Sequence, residues 1–370
     1  MTDQVVTEDV VLFEEIPSGN GKKIAVATLN AEKALNSLSL EMVRLLHPQL
    51  NVWADDDSIA CVILQGAGDK AFCAGGDIVQ LYHGMKDATD YPETFFAEEY
   101  RLDYAIHTYS KPLVVWGNGV VMGGGLGLMS GGSHRVVTET TRMAMPEVTI
   151  GLYPDVGGTW FLNHAPGNTG LFLGLTGASI NAADAIYVGL ADSFVTHDQR
   201  QAVIDALAAI AWSENAHDQV AEVIAEFESK SSGAKPAGQV EAHYDYIQQS
   251  TDYSSVPEVV AAITGYDGDD KWLVNAAKGM AQGCPATIYL VWEQLQRGKG
   301  MSLNDIFKME MIISANCARI GNFQEGVRAL LIEKDRDPKF KPATVAEVTP
   351  EFVEQHFTPP WDGEHPLAEL

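Results

Sequence analysis

Hydrophobic and polar positions alternate in two short segments near the start of the chain. VVLFEEI at 10–16 and KIAVATL at 23–29 have the length and the apolar, β-branched composition of strands. The segment between them, Pro17-Ser18-Gly19-Asn20-Gly21, is rich in turn-forming residues. The pattern therefore predicts two strands joined by a turn.

The spacing of apolar residues then becomes helical. Residues 39–53 (SLEMVRLLHPQLNVW) carry apolar side chains at helical intervals, and Ser37 or Ser39 is placed to cap that helix. The same reasoning predicts buried strands at 59–64 and 112–116 and a helix between them at 94–109. Strands that alternate with helices are typical of α/β proteins.

Helical patterns dominate the second half of the chain. They are clearest at 218–230, 286–295 and 303–320. We therefore expect three consecutive parts: an α/β core at 10–210, a helical C-terminal region at 211–345 and a tail at 346–370.

Composition and charge narrow the class of protein. The 370 residues are 46% hydrophobic and 20% charged, as in a folded globular chain. The net charge is −26, from 24 Lys and Arg against 50 Asp and Glu, which argues against nucleic acid as a partner. No apolar run approaches the ~20 residues of a membrane-spanning helix, and the acidic start MTDQVVTEDVVLFEE lacks a targeting pattern. We expect a soluble cytoplasmic protein without membrane association.

Two glycine-bearing segments interrupt the α/β pattern, at 71–77 (AFCAGGD) and 117–132. The second begins with a GxGxxxG spacing like that of a dinucleotide fingerprint, but several strands precede it, whereas such a fingerprint opens its fold. Alternatively, both turns could direct backbone N–H groups at one point and stabilise an oxyanion on an acyl carbonyl. A third interpretation, that the glycines only permit close packing, stays open at this level.

Two carboxylates near these segments are candidates for acid–base chemistry. Glu147 follows Met145-Pro146, and Asp155 lies in a turn rich in Gly and Pro, where an unpaired carboxylate is costly. Either could instead be an ordinary surface acid. Cys73 could act as a nucleophile, although a buried inert thiol is the simpler interpretation. The sequence contains no CxxC, GxSxG, HExxH or P-loop motif.

Four motifs together resemble the crotonase (enoyl-CoA hydratase/isomerase) superfamily: AFCAGGD at 71–77, VMGGGLGL at 121–128, MPE at 145–147 and PDVGG at 154–158. The longer segment EGVRALLIEKDRDPKFKP at 325–342 is similar to the 3-hydroxyisobutyryl-CoA hydrolase family within that superfamily. The resemblance implies an α/β fold, a crotonase-like spiral of repeated ββα units with a helical C-terminal region. It also implies a homo-oligomer, since superfamily relatives often form one.

The resemblance assigns roles to individual residues. The backbone N–H groups of Gly76 and Gly124 would form the oxyanion hole, and Glu147 matches a catalytic carboxylate that hydratases also carry. Hydratases have a second glutamate where this chain has Gly127, which puts water addition by two carboxylates in doubt. Asp155 matches the second catalytic carboxylate of the hydrolase family.

Binding residues follow from the same comparison. Glu99, in EEY at 98–100, matches a substrate-binding glutamate, and Gly124, Glu147 and Asp155 would also contact the substrate. The segment Lys33-Ala34-Leu35 matches the one that lines the adenine and phosphates of CoA.

The implied activity is hydrolysis of a short branched 3-hydroxyacyl-CoA thioester, 3-hydroxyisobutyryl-CoA in valine breakdown. CoA is part of this acyl-CoA substrate, and no separate cofactor or metal is expected. Glu147 would either attack the thioester or activate a water molecule as general base. Two alternatives are an enoyl-CoA hydratase or isomerase of the same fold, and a non-catalytic acyl-CoA-binding or assembly protein.

Overall fold

Nine strands form two sheets in the computed structural model, which describes residues 9–370. The first eight residues lie outside the described residues. They belong to the acidic start of the chain, which contributes to the expectation of a cytoplasmic protein. The strands are β1 (Val11–Pro17), β2 (Lys23–Leu29), β3 (Ile59–Gly66), β4 (Ala71–Cys73), β5 (Leu113–Gly117), β6 (Val120–Met122), β7 (His134–Val137), β8 (Arg142–Ala144) and β9 (Ser193–Phe194). The larger sheet has the order β1-β2-β3-β5-β7-β9 and the smaller one β4-β6-β8.

Successive strand pairs build a spiral. β3 and β4, then β5 and β6, then β7 and β8 each place one strand in the large sheet and the next in the small one. Within residues 9–370 the strands beyond the β1–β2 hairpin pair with one another in parallel, for example Val62 with Leu113 and Val121 with Met143. The expected α/β spiral of ββα units is therefore confirmed.

Sixteen α-helices occur within the described residues. They are α1 (Leu40–Asp55), α2 (Ile78–Lys86), α3 (Tyr91–His107), α4 (Gly124–Ser130), α5 (Gly158–His164), α6 (Thr169–Thr176), α7 (Ala182–Tyr187), α8 (Arg200–Ala208), α9 (Ala216–Ser231), α10 (Tyr244–Thr251), α11 (Val256–Thr264), α12 (Lys271–Gln282), α13 (Pro285–Arg297), α14 (Leu303–Ile320), α15 (Asn322–Val327) and α16 (Pro350–Phe357). The strands and helices predicted from the hydrophobic spacing are confirmed, with ends that differ by up to three residues. Of the two candidate caps, Ser39 begins α1, where its Oγ accepts a hydrogen bond from the Met42 amide at 3.1 Å.

Both faces of the large sheet are covered, as parallel strands require. Along β2, Ile24 and Val26 face α8 and α9, where they pack among residues such as Leu207 and Phe227. The alternate residues of β2, including Ala27, belong to the main core, which the small sheet and the other helices share. The period of two along the strand therefore places two separate apolar clusters on opposite sides of one sheet.

The C-terminal helices pack directly on the spiral. α14 lies along α3, and α13 contacts α5 and α6. The end of the chain is also packed, since Leu367 is fully buried and the Leu370 carbonyl accepts a hydrogen bond from Lys308 Nζ at 2.9 Å. The boundaries at 210 and 345 stay a prediction.

Within residues 9–370, every helix is too short or too polar to span a lipid bilayer.

Candidate active site

A cavity of about 350 Å³ lies where the strands of the small sheet end. β4, β6 and β8 are parallel, so their carboxyl ends meet at one edge of the sheet. The loops that follow them carry Gly76, Gly124 and Glu147, and all three line the cavity. Three motifs that are widely separated in the sequence thereby share one site.

The two glycine turns bring their backbones together. Gly75 has φ of +106° and Gly123 has φ of +49°, conformations that glycine adopts without a steric penalty. A Cβ on Gly124 would lie 3.3 Å from the Gly76 nitrogen, so these amides are adjacent. Among residues 9–370 neither the Gly76 nor the Gly124 N–H donates a hydrogen bond. Both predicted oxyanion-hole donors are therefore available at the same wall of the cavity.

The segment at 33–38 holds the first of these turns in place. The Ala74 amide donates to the Leu35 carbonyl at 3.0 Å, and the Leu38 amide donates to the Gly75 carbonyl at 2.8 Å. Ala34 lines the cavity, and Lys33 precedes it in an exposed turn. Of the three predicted CoA-binding residues, Ala34 thus lines the cavity, and Lys33 and Leu35 are its neighbours in the chain.

Two carboxylates flank the Gly123–Gly124 turn. Glu147 Oε1 would lie 2.9 Å from a Cβ on Gly123, and Glu99 Oε1 would overlap with a Cβ on Gly124. Glu99 is 2% exposed and Glu147 is 5% exposed. Glu99 Oε1 and Glu147 Oε2 have no hydrogen-bond partner within the described part of the chain. Two acidic groups are therefore held against the predicted oxyanion-hole glycines.

Asp155 completes the predicted set. It lines the same cavity, is 4% exposed and accepts a hydrogen bond from the Tyr100 hydroxyl at 2.7 Å. Burial raises the pKa of Asp155 to about 6, and the hydrogen bond from Tyr100 opposes that rise. Asp155 consequently loses its proton at a higher pH than an ordinary aspartate does.

The other two carboxyl groups retain their protons more strongly. Burial, followed by the negative charges of Asp103, Asp155 and Glu147, raises the pKa of Glu99 well above the ordinary carboxyl range. Burial and the charge of Asp155 raise the pKa of Glu147 in the same way. In the free protein the cavity thus contains three carboxyl groups of raised pKa, and the two glutamates favour the neutral form more strongly than Asp155 does.

Sequence reasoning missed several polar residues behind the cavity wall. Asp103 is fully buried and lies four residues after Glu99 on α3, a helical spacing that could have revealed it. Glu310 and Ser314 come from α14, and no local pattern connects these residues to the site.

Packing accounts for the glycine at position 127. A Cβ there would lie 2.6 Å from Val156 Cβ and 3.1 Å from Asp103 Oδ2. The space that a longer side chain would need at position 127 is therefore occupied by Val156 and Asp103.

Two alternatives from the sequence do not agree with the geometry. Burial raises the pKa of Cys73 to about 12, so its thiol is not ionised near neutral pH and is a poor nucleophile. The GxGxxxG segment leads from β5 into β6, whereas a dinucleotide fingerprint leads from a strand into a helix. A Cβ on Gly119 would collide with the backbone of Lys70, so this glycine serves a close approach of two chain segments.

Comparisons with known proteins show the family to which the chain belongs. Residues 24–357 match the family model described as enoyl-CoA hydratase/isomerase. The chain is 40% identical over 349 residues to a protein of Danio rerio named "3-hydroxyisobutyryl-CoA hydrolase, mitochondrial", covering 94% of this chain and 89% of that protein.

Two solved structures share the fold over nearly the whole chain. A carnitinyl-CoA dehydratase from Mycobacterium thermoresistibile has a TM-score of 0.85 and 37% identity, covering 96% of this chain and 98% of its own. An enoyl-CoA hydratase from Rhodobacter sphaeroides 2.4.1 has a TM-score of 0.83 and 31% identity, with 95% and 98% covered.

Proposed function

The chain belongs to the enoyl-CoA hydratase/isomerase family and, within it, to the 3-hydroxyisobutyryl-CoA hydrolases, and we propose that it hydrolyses the thioester of 3-hydroxyisobutyryl-CoA. The products are the free hydroxy acid and CoA. The observation that carries the proposal is the convergence of two backbone N–H donors with Glu147 and Asp155 in one buried cavity. The valine-degradation pathway is part of the proposal and rests on the resemblance alone.

The Gly76 and Gly124 amides supply the oxyanion hole. They donate hydrogen bonds to the thioester carbonyl oxygen, which becomes negatively charged when the carbonyl carbon is attacked. Such donors are fixed in advance, so they stabilise the transition state without reorganisation, and each contributes about 3 kcal/mol.

Glu147 starts the reaction in either of two ways. Its carboxylate oxygen can attack the carbonyl carbon, which expels the CoA thiolate and leaves an anhydride that water hydrolyses. Alternatively, the carboxylate takes a proton from water as the water oxygen attacks. Both routes require ionised Glu147, while Asp155 orients the water or the 3-hydroxyl group and Glu99 binds the acyl end.

Activity should therefore fall in acid at a pH above the ordinary carboxyl range. Ionised Glu147 is required, and burial together with the charge of Asp155 raises its pKa, so activity is lost as pH falls through that raised value. Asp155→Asn removes the negative neighbour, so the acid limb of kcat/KM should move to lower pH while kcat itself decreases. Steady-state rates measured between pH 4.5 and 9 test this prediction. If the acid limb of Asp155→Asn lies at the same pH as that of the wild type, Asp155 does not raise the pKa of Glu147.

Lys33 should bind the phosphates of CoA. It is exposed at the rim of the cavity beside Ala34, so Lys33→Ala should raise KM several-fold and leave kcat nearly unchanged. Lys230→Ala is a matched control, because that lysine lies on α9 and pairs with Glu226. A thioester of N-acetylcysteamine lacks the nucleotide, so its KM should not respond to either variant. An equal increase in KM for both thioesters in Lys33→Ala would show that Lys33 does not act by binding the CoA phosphates.

Thiol release measured with DTNB tests the proposed substrate class. 3-Hydroxyisobutyryl-CoA and 3-hydroxypropionyl-CoA should release CoA rapidly, whereas isobutyryl-CoA, which lacks the hydroxyl group, should react slowly. Equal rates for all three would remove the assigned role of the 3-hydroxyl group.

We propose that no separate cofactor or metal takes part. CoA is the leaving group of the substrate, and backbone N–H groups polarise the carbonyl that a metal would otherwise polarise. Thiol release should consequently be unaffected by EDTA.

Location and assembly are also proposals. A cytoplasmic enzyme was expected, whereas the Danio rerio relative is named as mitochondrial, so subcellular fractionation is needed to decide between these locations. A homo-oligomer is proposed from the family resemblance, and sedimentation velocity tests it.

A further inference from the structure

A chain of three hydroxyl groups connects Asp155 to the C-terminal helix α14. The Tyr100 hydroxyl lies 2.7 Å from Asp155 Oδ2 and 2.6 Å from Ser314 Oγ. Ser314 Oγ lies 3.0 Å from the Tyr153 hydroxyl, which donates to the Glu310 carbonyl at 2.7 Å. Tyr100, Tyr153 and Ser314 are all fully buried, so these contacts are shielded from water.

The direction of the hydrogen bonds in this chain depends on the protonation state of Asp155. When Asp155 is ionised, Tyr100 donates to it, Ser314 donates to Tyr100, and Tyr153 donates to the Glu310 carbonyl. When Asp155 is protonated, it donates to Tyr100, and each following hydroxyl donates to the next until Tyr153 donates to the carbonyl. The four contacts each have a proton when Asp155 is protonated, whereas three protons serve four contacts when Asp155 is ionised. Tyr100 can donate to the ionised carboxylate because each hydroxyl group can both donate and accept.

We infer that Tyr100, Ser314 and Tyr153 form a hydrogen-bond relay that positions Asp155 and stabilises its ionised form. Ser314, more than 150 residues from Asp155 in the sequence, is thereby a positioning residue that acts through Tyr100. The inference rests on the proposed function, in which Asp155 contacts the substrate or the attacking water. It makes the C-terminal helical region a structural requirement of the reaction.

Helices α13 and α14 also hold the loop that carries Asp155. Glu310 accepts hydrogen bonds from the Gly157 and Thr159 amides, each at 2.8 Å. Gln294 Nε2 on α13 donates to the Pro154 carbonyl at 2.9 Å. These bonds hold the residues on both sides of Asp155, so its carboxylate stays within hydrogen-bond distance of Tyr100.

Acidic and weakly acidic groups face Asp155 from every element packed around it. On α3 they are Glu99, Tyr100 and Asp103. In the segment between β8 and α5 they are Glu147 and Tyr153, and on α14 they are Glu310 and Cys317. None of these groups carries a positive charge, so hydrogen-bond donation is what stabilises the ionised form of Asp155.

Titration of Asp155 followed by carbon NMR tests the relay without relying on turnover. The protein is labelled with ¹³C at the aspartate carboxyl carbons, and Asp155→Asn assigns the signal. Tyr100→Phe should make Asp155 about tenfold weaker as an acid. Ser314→Ala should cause a smaller change in the same direction, and Tyr153→Phe the smallest, because Ser314 can still donate to Tyr100. In thiol-release assays kcat should decrease in the same order.

Tyr109→Phe is the matched control. It makes the same substitution on the segment that follows α3 and removes the hydrogen bond from Tyr109 to the Leu50 carbonyl at 2.8 Å, away from the cavity. Its Asp155 titration and kcat should be those of the wild type. An unchanged titration in Ser314→Ala would overturn the relay, as would a loss of kcat in that variant without any change in the titration. If the protein released no thiol from any substrate, the titration would still decide whether the relay exists.

Discussion

Replacement of Glu147 by Gln is expected to abolish most thiol release, with kcat lowered about 10²–10⁴-fold. The amide can neither attack the thioester nor take a proton from water, yet it has nearly the same size. Burial already favours the neutral form of Glu147 in the free protein, so the substitution should not destabilise the fold. DTNB assays with 3-hydroxyisobutyryl-CoA give the rate, and thermal unfolding of the variant gives its stability.

The matched control for this prediction is Glu98→Gln. Glu98 lies on α3 beside Glu99 but points to the surface, where it pairs with Arg44 at 2.7 Å. Exposed ion pairs contribute little to stability, so this variant should keep wild-type activity. A Glu147→Gln enzyme that retains half or more of the wild-type kcat would exclude both catalytic routes.

Gly124→Ala should have the second-largest effect, a decrease of about 10²–10³-fold in kcat. The added methyl group would overlap with Glu99 Oε1 and lie 3.3 Å from the Gly76 nitrogen. It would therefore occupy the position in which both N–H groups meet the carbonyl oxygen. Binding of CoA itself should change little, because the nucleotide is proposed to lie at the rim near Lys33.

Gly233→Ala provides the control for an added methyl group. Gly233 lies in the turn after α9, and no atom lies within 4 Å of a Cβ built there. Its activity should equal that of the wild type. If Gly124→Ala also kept full activity, the oxyanion hole would have to lie elsewhere.

The regular elements were predictable because their signals are local. The alternation along β2 and the helical spacing after Ser39 each depend on neighbours a few residues away, and the structure has both elements in place. The glycine turns at 75–76 and 123–124 were found from motifs, which marked the residues but not the geometry. Their convergence depends on the parallel pairing of β4 and β6, a long-range contact that no local pattern reports.

The burial of the carboxylates in the site could not be predicted from the sequence. A carboxylate among 50 acidic residues is unremarkable until its burial and its neighbours are known. Ser314 illustrates the limit most clearly, since it is one small polar residue in a long helix, and only the packing of α14 on α3 brings it to Tyr100.

The central claim is that the enzyme breaks a thioester bond and does not remove water from its substrate. Mass spectrometry of the products formed from 3-hydroxyisobutyryl-CoA tests this directly, because one substrate allows both outcomes. The account predicts free CoA and the free hydroxy acid in equal amounts, with both lost in Glu147→Gln. An unsaturated acyl-CoA that has lost one water molecule and still carries its CoA would contradict it and establish a hydratase of the same fold.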